Sequence, residues 1–435
     1  MAANPFTYGN PISDPARFFG REREIEQVFS RLRNAEFESS SLVGERRVGK
    51  TSLLNAIAHP DIRHQHGLDP AQYIFVYVDL EMVDKDATPL KLWQRMLRQM
   101  ARACQDAEVK QAIEEISKEN AIDTFALADL FDSIEEKKQY VVFLLDEFEN
   151  VTTNQNFGPD FFYGLRSLAI QHNLALITAS RRELIELCHS DAIRSSPFFN
   201  IFANINVGLL NADETRLLIA RSMEGTGITL SEDEVNLICR LAGYHPYFLQ
   251  AACYFLFEAY SKNLPSEERR TYLLKEFRQE ANPHLADYWY NSDDHEKIVL
   301  TVLALLERQG KANGRSFSMK QLQEYYTRSD QTLSHLEKRS LISAQADGYM
   351  LFNTLWGEWI MTEITDIPKD AQSYDDWLKS NQSALGKLSG KAKSEIGEIL
   401  PKISSKYRDL IVGWVSDPKN WVAVLGLLKG VLLPV

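Results

Sequence analysis

Eight residues, Gly44-Glu45-Arg46-Arg47-Val48-Gly49-Lys50-Thr51, carry the spacing G-x-x-x-x-G-K-[ST]. Glycines at both ends let backbone N–H groups turn inward around a polyphosphate, and the lysine adds a mobile cation. The strand-like run Ser41-Leu42-Val43 leads in and the helix-like residues 52–58 lead out. The loop is therefore expected at a helix N-terminus, whose partial positive charge favours anions. Lys50 would reach the β- and γ-phosphates, Thr51 would place its hydroxyl on Mg²⁺, and Ser52 would complete the phosphate-binding set. A second group closes the apolar run Val141-Val142-Phe143-Leu144-Leu145 with Asp146-Glu147. Asp146 would hold Mg²⁺, mostly through water, and Glu147 would orient the attacking water. Phosphoryl transfer asks mainly for positioning and charge neutralisation, which a lysine, a metal and one carboxylate supply.

Further polar residues stand where such a reaction could use them. Thr178, Ser180, Arg181 and Arg182 end another apolar run, where a polar group can meet the γ-phosphate and an arginine can sense it. Arg194, ahead of Ser195-Ser196-Pro197, is either an arginine finger for a neighbouring subunit or a plain surface charge. Gly243-Tyr244-His245-Pro246 reads as the end of one helix and the start of the next, a rigid turn that could also press Pro246 on a purine ring.

The elements needed to position these groups follow from periodicity. Ile25, Val28, Phe29 and Leu32 mark an amphipathic helix ahead of the loop. Apolar strands are expected at 73–80, 140–149, 174–180 and 198–209, with helices over 88–138, where Trp93, Met96, Leu97 and Met100 form one face and Phe125, Leu127, Leu130, Phe131 and Ile134 another. Strands alternating with helices predict an α/β fold, an open parallel sheet covered on both faces, with ligands at the C-terminal strand ends. From Asn211 the pattern is helical, at 213–223, 232–241, 246–261, 267–284 and 293–308. Two shorter helices, 318–326 and 329–339, and a strand pair around Asp347-Gly348 complete a winged-helix pattern. The expected domains are an N-terminal arm (1–20), a P-loop α/β domain (21–210), a helical lid (211–290), a winged helix (291–365), a linker (366–376) and a basic, apolar helical tail (377–435).

Composition bounds the partners. The 435 residues are 44% hydrophobic and 25% charged, as in a globular protein, and carry a net charge of −12. That balance excludes a strongly basic nucleic-acid footprint overall. The stretch from Trp377 onward holds 9 Lys/Arg against 4 Asp/Glu, so it is chemically distinct. The four cysteines have no metal-ligand spacing and read as free thiols of a reducing compartment. The first residues lack a signal-peptide pattern, and no apolar run reaches the ~18 residues of a spanning helix, so a cytoplasmic location is expected.

Taken in order, Phe19-Gly20-Arg21-Glu22, Gly44–Thr51, Leu144-Leu145-Asp146-Glu147, Thr178–Arg182 and Gly243–Pro246 resemble the motifs of a STAND-class P-loop ATPase of the AAA+ superfamily, in a prokaryotic group similar to the origin-recognition ATPases. The resemblance covers residues 5–365. It implies ATP or ADP with Mg²⁺ as cofactors, an adenine flanked by Phe19 and Arg21 with Pro246 packed on it, and a γ-phosphate read by Arg181. It also implies a slow ATPase switch, monomeric with ADP and a homo-oligomer with ATP. No N-x-K-D guanine motif follows the loop, which favours ATP over GTP. The chain departs from many relatives in lacking a Met-His-Asp motif at 352–359 and a C-terminal repeat array. Two alternatives stay open. The 329–340 helix, with Lys338, Arg339 and His335 against Asp330 and Glu337, could bind DNA, although an intramolecular or protein contact is favoured on so weakly basic a face. The tail, with two Trp-containing apolar runs, could pack as a small helical domain, approach an anionic membrane or bind a partner.

Overall fold

The computed structural model describes residues 3–310, 316–365, 379–380, 390–415 and 420–433. The expected linker at 366–376 and parts of the tail lie outside them. The chain forms two compact units, Tyr8–Glu224 and a second that joins the first seven residues to those from Gly225 on.

The first unit is built on five parallel strands, β1 (Ser39–Val43), β2 (Tyr73–Asp79), β3 (Tyr140–Asp146), β4 (Leu174–Ser180) and β5 (Phe202–Asn206), in the order β2-β3-β4-β1-β5. Side chains alternate across a strand, and here both faces are buried. Along β3, Val141, Phe143 and Leu145 join one core while Val142 and Leu144 join the other. The first core is covered by α4 (Pro89–Ala103), α5 (Ala107–Ile116), α6 (Thr124–Glu136) and α8 (Pro159–Gln171). The second is covered by α1 (Glu22–Leu32) and α2 (Lys50–Ala58), with Ile25, Val28, Phe29 and Leu32 buried as their spacing predicts. Short helices α3 (Pro60–Gln65), α7 (Glu149–Thr152) and α9 (Asp191–Arg194) fill connections, and α10 (Ala212–Met223) ends the unit.

Four sequence expectations change here. Phe125 is 81% exposed: Leu127, Leu130, Phe131 and Ile134 already complete the i, i+3, i+4, i+7 face of α6, and Phe125 falls off it. The run at 198–209 is a strand only over Phe202–Asn206. Pro197 opens a 3₁₀ turn through Ile201 that packs Phe198 among Phe148, Phe162 and Phe202. The boundary expected at 210 falls after Glu224, because α10 is tied to the sheet unit. Glu214, in a capping box with Asn211, also accepts the backbone N–H of Arg21 at 3.0 Å. The arm at 1–20 divides as well. Asn4 donates to Tyr254 O and Thr7 N–H to Gln250, so the first residues belong with the second unit.

The second unit contains α11 (Glu232–Ala242), α12 (Pro246–Ser261), α13 (Ser266–Tyr290) and α14 (Asp294–Arg308). It continues with α15 (Met319–Gln323), α16 (Ser329–Lys338), an antiparallel hairpin of β6 (Ile342–Gln345) and β7 (Gly348–Leu351), and α17 (Thr354–Ile364). A bridge from Phe317 to Tyr349 adds a third short extended segment to that hairpin. The tail forms α18 (Gly390–Ile399), α19 (Ser405–Val415) and α20 (Trp421–Leu432), which pack on one another and on α14. Its apolar face is spent inside this unit: Trp414 is buried with Nε1 donating to Tyr325 O at 2.6 Å, and Tyr407 Oη accepts from the buried Trp289 Nε1 at 2.7 Å. Among the described residues no helix is long and apolar enough to cross a membrane. Cys104, Cys188 and Cys253 are buried free thiols and Cys239 is half-buried.

Candidate functional site

The parallel register brings the C-terminal ends of β1, β3 and β4 side by side, since Val43 lies opposite Ser180 and Leu145 opposite Thr178. The loop Gly44–Thr51, Asp146-Glu147 and Arg181 thereby meet at one edge of the sheet, where open α/β sheets bind ligands. Gly44 is required sterically, as a Cβ there would lie 2.2 Å from Val207 O and 2.9 Å from Val48 Cγ1. Gly49 caps α2 at φ +99 with open space around it, so the backbone can face a ligand closely.

Lys50 is the first residue of α2, 5% exposed, and its Nζ donates to Gly44 O at 2.9 Å and Glu45 O at 3.3 Å. The cation thus folds back across its own loop. The Thr51 hydroxyl donates to the Asp146 carboxylate, which also accepts from Tyr77 Oη at 3.0 Å. Burial raises the Asp146 carboxyl above its ordinary range, while the Thr51 and Tyr77 hydroxyls oppose that rise. A hydroxyl and a buried carboxylate meeting beside a lysine is the oxygen donor set that Mg²⁺ and phosphate require, so the residues present fit a metal–nucleotide.

Glu147 follows in a left-handed conformation at φ +52, uncommon for a residue with a side chain. The turn directly follows the end of β3, and Phe148 N–H is returned to Ala179 O at 2.9 Å. Burial first, and the neighbouring Glu149 next, push the Glu147 carboxyl up, with Lys50 and Arg181 opposing. Arg181 is paired with Glu149, Nε to Oε1 at 3.2 Å, and that carboxylate is almost wholly buried.

Several expected ligands have other duties. Arg21 is 4% exposed, and its guanidinium donates to Val48 O and Gly208 O and pairs with Glu24 at 3.3 Å. It braces the phosphate loop through Val48 O. Phe19 is half-buried in the same unit. The Ser52 hydroxyl accepts the N–H of Ile12 at 2.9 Å, and Asn55 donates to Ile12 O, so the arm lies across the start of α2. Glu45 is buried and its Oε1 accepts the N–H of Arg46; Arg46 and Arg47 are exposed, with Arg47 reaching Tyr8 O at 3.4 Å. Thr178 and Ser180 are fully buried; Ser180 Oγ donates to Arg182 O, while Thr178 Oγ1 has no hydrogen-bond partner among the described residues. Arg194 pairs with Asp191 within its own short helix, as a surface charge would. Pro246 stands in the second unit as the first residue of α12. Gly243 before it is left-handed, at φ +60, and a Cβ would lie 1.8 Å from Phe352 O. At the missing Met-His-Asp position Asn353 instead caps α17, accepting Trp356 N–H at 2.7 Å.

Two partners escaped the sequence reading. Tyr77 comes from a neighbouring strand, and strand order cannot be read from periodicity. Glu149 was visible in the Asp146-Glu147-Phe148-Glu149 run, but only the short helix α7 turns it back toward Arg181.

Against known proteins, residues 33–336 match the family model described as Novel STAND NTPase 2. The fold is similar to the Walker-type ATPase PABY2304 of Pyrococcus abyssi, at 16% identity and TM-score 0.50, covering 81% of this chain and 99% of that one. It is also similar to the ORC2 protein of Aeropyrum pernix, solved in ADPNP–ADP complexes, at 14% identity and TM-score 0.49, covering 78% and 93%. A search of curated proteins finds no significant match. The matched span contains the phosphate loop, both acids of β3 and Arg181, and the chain belongs to the STAND NTPases of that family.

Proposed function

We propose that the chain is a slow, Mg²⁺-dependent ATPase whose nucleotide state sets its conformation and its assembly into homo-oligomers. The observation that carries this reading is the Lys50–Thr51–Asp146 assembly with Glu147 next to it on a left-handed turn. Bound through Thr51 and Asp146, Mg²⁺ would neutralise charge on the β- and γ-phosphates. The N–H groups of the loop and of the first turn of α2 hold the phosphates, and Lys50 exchanges its two carbonyl partners for phosphate oxygens. Glu147 accepts a proton from the attacking water as the water oxygen bonds to γ-phosphorus and the bridging P–O bond breaks, giving ADP and phosphate. The raised carboxyl of Glu147 makes it a stronger base than an ordinary carboxylate. With Arg181 held on Glu149, the resting arrangement is a poor catalyst, which fits a switch better than a metabolic enzyme.

Two other readings lose support. DNA binding through the 329–340 helix would use Arg339, but that guanidinium is 5% exposed and bonded to Glu296 and Ser292. A membrane-facing tail would need the apolar runs that α14 covers.

The test is the nucleotide content and solution mass of the purified protein, with and without excess ATP. Retained ADP in a monomer that becomes an oligomer with ATP is expected, with turnover lost in Lys50→Ala and Glu147→Gln. If both variants leave mass and turnover as in the wild type, the proposal fails.

A further inference from the structure

At the other end of the sheet from the phosphate loop, where β4 begins, His172 closes α8 with its side chain 6% exposed. Its Nδ1 lies 3.3 Å from Asp132 Oδ1 and 3.6 Å from Glu135 Oε1. Asp132 and Glu135 are three apart on α6 and so share a face. Neither ring nitrogen of His172 has a hydrogen-bond partner among the described residues. A neutral imidazole offers one donor and one acceptor, yet in this buried ring neither nitrogen makes a hydrogen bond, and Nδ1 meets the two carboxylates only at ion-pair distance.

Donor atoms of the three side chains all lie within 4.8 Å of one another. Ligands on a tetrahedral zinc, with metal–ligand bonds of about 2.0–2.2 Å, stand roughly 3.4 Å apart. The two histidine–carboxylate separations fall on either side of that value. The ligands are also braced from outside: Glu135 Oε1 accepts the N–H of Asn173, and the Phe131 ring packs 5.9 Å from that of His172. The Asp132 side chain is 65% exposed, which gives an ion a way in and leaves room for water.

We propose that Asp132, Glu135 and His172 form a binding site for a divalent first-row metal, with Zn²⁺ the ion that fits best. One imidazole and two carboxylates suit that class, whereas Ca²⁺ and Mg²⁺ ask for six or more oxygens or retained water. The ion would join the last turn of α6 to the α8–β4 junction, remote from the nucleotide.

The experiment uses the full chain, stripped with a chelator and kept free of nucleotide and Mg²⁺. Zn²⁺ is titrated in competition with a chromophoric chelator, and Co²⁺ is used as a spectroscopic stand-in. One Zn²⁺ per chain is expected, weakened at least tenfold in His172→Gln and Asp132→Asn and unaffected in Thr51→Ala. The Co²⁺ protein should show ligand-field bands without thiolate charge transfer. Absence of Zn²⁺ binding, binding unchanged in Asp132→Asn, or a thiolate band overturns the site. Asp132 is exposed, so its variant keeps the fold and decides the matter even if His172→Gln does not fold.

Discussion

Arg181 and Glu149 share two contacts on one oxygen: Oε1 of Glu149 accepts the Nε–H of Arg181 at 3.2 Å and its backbone N–H at 3.3 Å. The arginine expected to read a γ-phosphate is therefore committed to a carboxylate, and must leave it to serve the nucleotide. Glu149→Gln should release it. A partly exposed pair of this kind is worth about 1 kcal/mol, so ATP should bind roughly fivefold tighter while ADP is unchanged. Calorimetry with both nucleotides measures the ratio, and an unaltered preference removes Arg181 from γ-phosphate sensing. Glu149 also helps hold the Glu147 carboxyl up, and Glu147 works as a base only when deprotonated. The acidic limb of hydrolysis should accordingly lie above the ordinary carboxylate range and move to lower pH in Glu149→Gln.

Arg21 links two segments that no secondary structure joins, the carbonyls of Val48 in the phosphate loop and Gly208 beyond β5. Removing a buried charged donor strands both carbonyls and its acidic neighbours. Arg21→Ala should cost about 3 kcal/mol in thermal or denaturant unfolding, and Arg21→Lys most of that, because a lysine cannot span the fork. Hydrogen exchange in residues 44–51 should quicken in parallel. A melting temperature within about 2 °C of the wild type would show that the loop holds itself.

The strands and the edge that carries the candidate site were legible because both signals are local. Strands of five to seven residues leading to Gly44, Asp146-Glu147 or Arg181 need only parallel neighbours to converge. What stayed hidden depends on side-chain direction and tertiary choice. Arg21, Arg339 and Ser52 are residue types usually found at ligands or surfaces, yet each is bonded internally, and nothing in their neighbours along the chain says so. The Trp-bearing tail was ambiguous for a related reason: an apolar helical face states that it will be covered, and only the packing on α14 says by what.

Arg339 Nη1 lies 2.7 Å from Glu296 Oε2, with both side chains buried. Breaking the pair leaves an uncompensated charge, so Arg339→Ala should destabilise the protein by about 3–5 kcal/mol. The exposed neighbour Lys338 should tolerate alanine within about 0.5 kcal/mol. Duplex DNA affinity at low salt should be undetectable in the wild type. Binding that Lys338→Ala alone weakens, at unchanged stability, would restore the DNA reading.

Glu307, on α14, faces Gly357 of α17 so closely that a Cβ on that glycine would lie 2.6 Å from its Oε2. Burial, with Glu358 adding repulsion, pushes its carboxyl up to about 7. A carboxyl raised on folding binds its proton more tightly in the native state. Stability is then fully present below the ordinary range and declines as pH rises through about 7. From the usual 4.5 the whole penalty at alkaline pH is on the order of 3 kcal/mol, the upper end for a group that keeps some exposure. Glu307→Gln imitates the protonated form, so it should raise the melting temperature at pH 8.5 and leave it nearly unchanged at pH 5. Denaturant titrations of the full chain at the two pH values give the difference directly. A stabilisation equal at both would assign the effect to packing against Gly357 instead of to charge.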